Sequence, residues 1–401
     1  MWSVGEPRGV GGGREDDGIP RSKKQTRTRR DFKRLFFLRF RDDDPAPVGT
    51  AERALVGFAD DSAPEPLGRA RGAMAAAVAY HERDFDYDEH VAEVLSTRPA
   101  PGSEARDAEP APGDDASART PEAQRSAWDR FHAAHARGAF FKPRRYLLAA
   151  FPALAAAPAG ATSTVLELGC GSGSACVPVL AANPTARVLA CDCAPEAVAC
   201  AARRVAAAAE DAPGSFASRF AAFPCDPCVD DLAASIARAA ESAGWWRSSS
   251  APPGSGGDAF PVDAAMMIFV LSAVPPGAAT ARFLRAVRDA LRPGARVFFR
   301  DYARYDLPML RFRAGLLDAS GGPGGGASRR REEESTTFAR GDGTLATFRS
   351  KEEVVEMFEN AGFEMAEGSE AVRYCCVRNT NRKKGVEMRR VFVHGEFVRP
   401  A

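Results

Sequence analysis

The chain lacks what a membrane or secreted protein needs. No apolar run reaches the roughly 20 residues that span a bilayer, and no signal-peptide core stands near the N-terminus. A strong charge of one sign is missing too, since 54 basic residues face 53 acidic ones and the net charge is +1. The protein is therefore no polycation, and any nucleic-acid contact must come from local patches. Histidine is scarce, with five in 401 residues. That leaves little to complete a zinc site around Cys225-x-x-Cys228, which reads as core cysteine instead. The nine cysteines, an odd number, fall in expected strands and helices, as reduced thiols of an intracellular protein would. These absences lead us to expect no metal and no membrane contact.

What the chain does have is concentrated in residues 164–173, TVLELGCGSG. An apolar strand stops at a glycine-rich turn, with Glu167 just ahead of Gly169, Gly171 and Gly173. Asp192 follows Gly169 by 23 positions, at the end of a second apolar run, VLACD. Strand, glycine loop, helix and a strand-end carboxylate make the nucleoside-binding half of a doubly wound α/β domain. The glycines let backbone approach a ligand that a Cβ would exclude, and the carboxylate can accept two bonds from a ribose diol. A dinucleotide fingerprint needs a third glycine where Ser174 stands, which sets a dehydrogenase aside. An acid beside the loop suits a cationic ligand, and S-adenosylmethionine carries both a sulfonium and an ammonium.

Composition divides the chain. Residues 1–125 are rich in Gly, Pro, Ala, Arg and Asp and read as a low-complexity, largely disordered extension. Two islands stand out in it, an Arg/Phe mixture at 30–41 and a helical stretch at 73–95. The basic start fits either organelle targeting, weakened by its acids, or a tail that touches RNA. The expected compartment is the cytoplasm, with nucleus and organelle left open. Residues 126–160 read as a helical cap, with helical spacing over 128–154, and 161–401 as the main domain. Strands are expected at 164–168, 187–191, 216–225, 262–271 and 297–300, and helices at 195–208, 278–291 and 351–360. A Ser/Gly/Pro-rich loop occupies 242–257, and a glycine-rich then charged insert occupies 319–334. Two last strands, near 370–377 and 390–397, flank a basic turn. The fold class is α/β, a Rossmann-like sheet of seven strands with helices on both faces and a C-terminal antiparallel pair.

Further motifs run in order through this second part: WDRFH (128–132), GAFFKPR (138–144), CD (191–192), CD (225–226), IFVLSA (268–273), LRPG (291–294), FRDY (299–302), YD (305–306), MLRF (309–312) and RGDGT (340–344). Together with the glycine turn they resemble the class I methyltransferase-like family that makes 3-methylcytidine in tRNA, at cytidine 32 of the anticodon loop. The likeness covers about residues 126–400. It implies S-adenosylmethionine as cofactor, held by Trp128, His132, Arg144, Glu167, Gly169, Gly171, Gly173, Asp192, Asp226 and Ile268. Asp192 would take the ribose, Asp226 the adenine amino group, Ile268 the adenine face and Arg144 the methionine carboxylate. The chain departs from the pattern at His132, where the family has tyrosine, and at Pro143, where it has aspartate. The lead-in to RGDGT is also reduced to Thr337-Phe338-Ala339.

Methyl transfer to cytidine N3 needs little acid–base help, because that nitrogen keeps its lone pair at neutral pH. Positioning is the main demand. The product base is cationic, and Asp301 at a strand end is the candidate to stabilise that charge; capping a turn is the competing role. Tyr302 or Tyr305 could stack on a base splayed from its loop. Candidate phosphate contacts are Lys142, Arg145, Arg304, Arg311, Arg340, Arg382 and Lys383. The expected partner is tRNA, with a tRNA synthetase or other helper protein left open. Two other functions stay open at this point: a class I methyltransferase acting on a protein or small molecule, and a non-catalytic cofactor-binding RNA partner.

Overall fold

Apolar runs that end in glycine or aspartate fold as the strands of one sheet. A computed structural model describes residues 80–96, 119–136, 140–155, 162–210, 216–245, 260–312, 336–368, 370–381 and 385–401. The basic island at 30–41, most of the loop at 242–257, the insert at 319–334, and Arg382 and Lys383 lie outside the described residues. Strands β1 (Ser163–Leu168), β2 (Ala186–Asp192), β3 (Phe220–Pro224), β4 (Ala264–Ile268) and β5 (Arg296–Tyr302) pair in parallel in the order β3-β2-β1-β4-β5. A separate hairpin joins β6 (Thr337–Ala339) to β7 (Leu345–Thr347). The chain then adds β8 (Glu364–Met365), β9 (Val372–Asn381) and β10 (Val386–Val398). Antiparallel β10 lies beside β5 and carries β9 and β8 on its far side. The sheet has eight strands where seven were expected, the addition being the two-residue β8.

The described helices are α1 (Tyr87–Ser96), α2 (Pro121–Ala134), α3 (Leu147–Ala150), α4 (Cys176–Ala182), α5 (Pro195–Glu210), α6 (Leu232–Ser242), α7 (Ala278–Ala290) and α8 (Lys351–Asn360). None is long and apolar enough to cross a membrane. Side chains alternate along each strand, so the sheet offers two apolar faces. Leu166, Leu168, Met267 and Phe299 pack on one face against Ile236 of α6, Leu284 and Val287 of α7 and Phe358 of α8. Val165, Val188, Met266 and Phe298 pack on the other against Leu147, Phe151, Val179 of α4 and Val205 of α5. This is the two-sided burial that near-continuous apolar strands require.

Local chemistry explains where expected boundaries moved. The helix that carries Trp128 starts at Pro121, because the Thr120 hydroxyl accepts the Ala123 N–H (3.2 Å) and proline fits the first turn. It stops at Ala134, so the helical stretch expected over 128–154 is broken, and a separate short helix follows at Leu147. The third strand begins late, since Phe216–Arg219 is a 3-10 turn. Strand β9 runs into the expected basic turn as far as Asn381 and so includes Arg378, and β10 begins earlier than expected, at Val386. Helix α8 matches its expected span. Its capping box has the Ser350 hydroxyl accepting from Glu353 N (3.2 Å), while Ser350 N donates to the Glu353 carboxylate (2.7 Å).

Phe358 ties α8 to the sheet, stacked on Phe397 with ring centres 3.8 Å apart and no solvent exposure. Phe358→Ala should therefore cost about 3–5 kcal/mol in urea unfolding. A loss below about 1 kcal/mol would mean this contact does not anchor the helix.

Candidate cofactor site

The site is built outward from the end of β1. Gly169, Gly171 and Gly173 adopt φ of +59°, +51° and +72°, the left-handed region that favours glycine. A Cβ on Gly169 would lie 2.7 Å from Val270 Cγ2, and one on Gly173 would lie 3.0 Å from the Ala201 Cα. Those two glycines let the loop pack against β4 and α5. A Cβ on Gly171 would meet His132 Cε1 at 3.7 Å and Phe141 at 3.9 Å, ordinary packing distances, so these two side chains lie over the middle of the loop.

Asp192 closes the loop onto β2. Its carboxylate accepts Gly171 N (2.9 Å) and Ala194 N (3.0 Å), and its carbonyl accepts Cys225 N (2.9 Å). The next strand end supplies Asp226, which accepts Cys228 N (3.0 Å) and whose own N–H donates to Asp230 (2.8 Å). Burial pushes the Asp226 carboxyl above its usual range. Both acids are almost buried, yet each keeps lone pairs beyond these bonds. Glu167 is buried beneath the loop, where it accepts the Cys176 thiol at 2.6 Å. Burial lifts it from the usual 4.5 to about 7, against the opposing pull of the Cys176 bond and of Arg144.

The segments that precede β1 cover this loop. His132 is buried across from Gly171, and burial holds its imidazole below the usual value. The Trp128 ring lies 6.0 Å from it. Arg144 bridges three parts of the site. Its backbone N–H donates to the Ser174 carbonyl (2.8 Å), its Nε to Ser174 Oγ (3.1 Å), and a terminal nitrogen to the Ile268 carbonyl (3.2 Å). Its guanidinium also sits 4.8 Å from the centre of the Phe269 ring. Ile268 is 4% exposed at the end of β4. The structure thus gathers all ten expected cofactor residues around one loop.

Two orphaned polar atoms mark the space, Trp128 Nε1 and Ser172 Oγ, both buried without a partner. With the two strand-end acids, these donors and acceptors fit S-adenosylmethionine. Asp192 would hold the ribose, Asp226 the adenine edge, Ile268 its face, and Arg144 the carboxylate. Cys225 and Cys228 are buried in apolar core. Among the described residues, the group of metal-ligand type within mutual reach is elsewhere, at Glu82, Cys375 and His394, where Arg373 already grips Glu82.

The acceptor-side candidates divide. Asp301 is 2% exposed, and its two oxygens accept Ser272 N and Tyr302 N, each at 2.8 Å. That is the turn-capping arrangement, and it fixes the loop after β4. Arg304 makes a two-bonded pair with Glu353. Arg340 donates to Thr344 Oγ1 (3.1 Å) and to the Leu345 carbonyl (2.6 Å) inside its own hairpin. Lys142, Arg145 and Arg311 are exposed.

Several residues of the site were given no role from the sequence. Val270 and Phe269 lie within IFVLSA, but only the fold shows Val270 as the wall against Gly169 and Phe269 turning the chain at φ +60°. Ser174 accepts from Arg144. Gln124, outside every motif, bonds Gly343 O (3.0 Å) and Leu345 N (2.9 Å) and so docks α2 on the RGDGT turn. Spacing marks Ser174 only as the residue in place of a fingerprint glycine.

The family model of a methyltransferase domain matches residues 140–367. The tRNA N(3)-cytidine methyltransferase METTL6 of Homo sapiens is 31% identical over 282 residues, which covers 70% of this chain and 81% of that protein. The chain belongs to this methyltransferase family. The tRNA N(3)-methylcytidine methyltransferase Mettl2 of Drosophila melanogaster is 30% identical over 281 residues, covering 68% of this chain and 70% of the relative. A solved S-adenosylmethionine-dependent methyltransferase from Anabaena variabilis aligns with 74% of this chain and 100% of its own, at a TM-score of 0.44 and 13% identity.

In this methyltransferase Glu167 yields a test with a definite sign. Its folded value, about 7, lies above the usual 4.5, so the folded state holds the proton more tightly than the unfolded chain. That contribution is fully present below pH 4.5 and is lost as pH rises through about 7. Without cofactor, Glu167→Gln should be more stable than the parent at pH 8, by about 3 kcal/mol at most, and equal to it near pH 4.5. Thermal melts at both pH values check this, and equal melting at pH 8 would show that burial of Glu167 carries no such cost.

Proposed function

We propose that this chain is an S-adenosylmethionine-dependent tRNA methyltransferase that forms 3-methylcytidine, with cytidine 32 of the anticodon loop as its target. The observation that carries the reading is one assembled site, Glu167, the three left-handed glycines, Asp192 and Asp226, in a chain whose relatives are tRNA N(3)-cytidine methyltransferases. When bound, the cofactor supplies a methyl group on a sulfonium, an electrophile that a ring nitrogen can attack in line.

The protein's part is to place and to exclude. Asp192, Asp226 and Ile268 orient the nucleoside end, while Arg144 locks the glycine loop to the end of β4. Cytidine N3 needs no proton removed, so no general base is required. Asp301 serves by positioning, because both oxygens are committed to backbone N–H groups that fix Ser272 and Tyr302. Removing those bonds would strand two buried donors. The half-buried Tyr302 ring, 5.1 Å from Phe269, offers an aromatic surface beside the loop.

For tRNA, we assign phosphate contacts to Lys142 and Arg145, exposed on the segment that carries Arg144, and to Arg311. Arg382 and Lys383, which lie outside the described residues, keep the same assignment on sequence grounds. Arg304 and Arg340 shape the protein rather than meet RNA, since each is held by internal partners.

The direct test incubates the full chain with methyl-labelled S-adenosylmethionine and bulk tRNA, digests the RNA and identifies the labelled nucleoside. We expect label in 3-methylcytidine, lost on RNase pretreatment, and mapping to position 32. Label in another nucleoside, or in protein, would overturn the reading.

A further inference from the structure

Tyr305 departs from ordinary backbone geometry. Among the described non-glycine residues only Phe269 and Tyr305 have left-handed φ, the latter at +65°. Such a conformation persists where its surroundings over-determine it. Tyr305 stands in the turn by which the chain leaves β5, three residues after Tyr302. The other polar groups of this turn are fastened from later parts of the chain, ahead of α8 and on β10. Ala303 N donates to the Val391 carbonyl (3.1 Å), and Arg304 N donates to the Arg349 carbonyl (3.0 Å). Asp306, with no exposure, accepts two bonds from Arg390 (2.8 and 2.9 Å) and one from Val391 N (3.0 Å).

The Tyr305 carbonyl is fastened from far away in the sequence. His90, on α1, donates its Nε2–H to that carbonyl at 3.1 Å. The imidazole is 5% exposed, and its Nδ1 is buried without a partner. The ring packs edge-on against Phe85 at 5.1 Å, and burying it with this single hydrogen bond is costly unless the bond matters.

The support under His90 does not depend on Tyr305. Cys376 N donates to the Glu82 carbonyl (2.7 Å) and Asp84 N to the Cys376 carbonyl (2.9 Å), so residues 82–84 run alongside β9. Arg378 N donates to the Asp84 carboxylate (2.8 Å), and Tyr87 stacks on Tyr374 at 3.6 Å. Glu93 at the far end of α1 pairs with Arg389. Helix α1 is therefore held by the β9–β10 hairpin, and it delivers His90 to the turn from a fixed base, as a preorganised site requires.

We propose that His90 is a positioning residue for methyl transfer. Its Nε2–H holds the Tyr305 carbonyl, and with it the left-handed turn that sets Tyr302 and the end of β5 against the acceptor base. This rests on the function proposed above. It makes residues 80–96, far upstream of the cofactor loop, part of the acceptor side of the enzyme.

The test compares full-length His90→Ala, His90→Gln and His90→Asn with the parent. It measures kcat and KM on tRNA, and Kd for S-adenosylmethionine by calorimetry. A glutamine amide can place an N–H where Nε2 stands, whereas asparagine reaches only the Nδ1 position. For His90→Ala, loss of one buried hydrogen bond should lower kcat about tenfold, with KM and cofactor Kd each within about twofold of the parent. His90→Gln should recover most of kcat, and His90→Asn should not. The proposal is overturned if His90→Ala keeps kcat, if asparagine rescues as well as glutamine, or if cofactor binding falls in step with kcat. A parent protein with no turnover on tRNA would refute the proposed function and this inference with it, whereas an active parent beside an unaffected His90→Ala refutes the inference alone.

Discussion

Asp192 holds three stretches of chain together at the mouth of the sheet, two through its carboxylate and one through its backbone carbonyl. One oxygen takes Gly171 N from the glycine loop and the other takes Ala194 N from the start of α5, while the backbone carbonyl of Asp192 takes Cys225 N beyond β3. The left-handed turns at Gly169, Gly171 and Gly173 are affordable only because glycine occupies them, and they keep their shape because Asp192 holds the middle one. The same acid has lone pairs left to meet a ribose. One residue thus sets the loop, and its two bonds hold Gly171 and Ala194 in place without any ligand.

The strand ends and the segments that cover them are assembled by different means. Glu167, Asp192 and Ile268 come from the ends of adjacent parallel strands, where register brings them into neighbouring positions, and Asp226 follows two residues after β3. The covering segments depend on long-range ties. Gln124 joins α2 to the RGDGT turn, Arg144 joins the cap to β4, and Asp306 joins the turn after β5 to β10. Each tie links segments 80 or more residues apart, and each is buried or half-buried, where a lost partner leaves a donor or acceptor unsatisfied.

That difference accounts for what the sequence made legible. Strands β1 and β2 and helix α8 stood out because an apolar run, a terminal glycine or acid, or an amphipathic period marks them locally. The cofactor residues were legible for the same reason, as strand-end acids at a characteristic distance from glycines. Asp301 had two readings, charge stabilisation or capping a turn, and the roles of Arg304 and Arg340 were not legible. A charge in a motif looks alike whether it meets substrate or caps a turn, and only the fold brings Ser272, Glu353 and Leu345 to them. Helix α2 extends upstream of Trp128 because Thr120 caps it, a signal that lies in a stretch whose composition reads as low complexity. Helix α6 has an Asp231 cap and a regular apolar face but sits between stronger punctuation, and no strand was needed there to draw notice.

The most direct measurement of the central claim is calorimetric titration of S-adenosylmethionine into Asp192→Asn beside the parent protein. Asparagine keeps the volume but offers an N–H where one of the backbone donors needs an acceptor. The account predicts a folded variant whose affinity for the cofactor is weaker by about tenfold or more. An unchanged Kd would mean that the glycine loop and its ligand do not depend on this carboxylate, and the account of the site would be wrong.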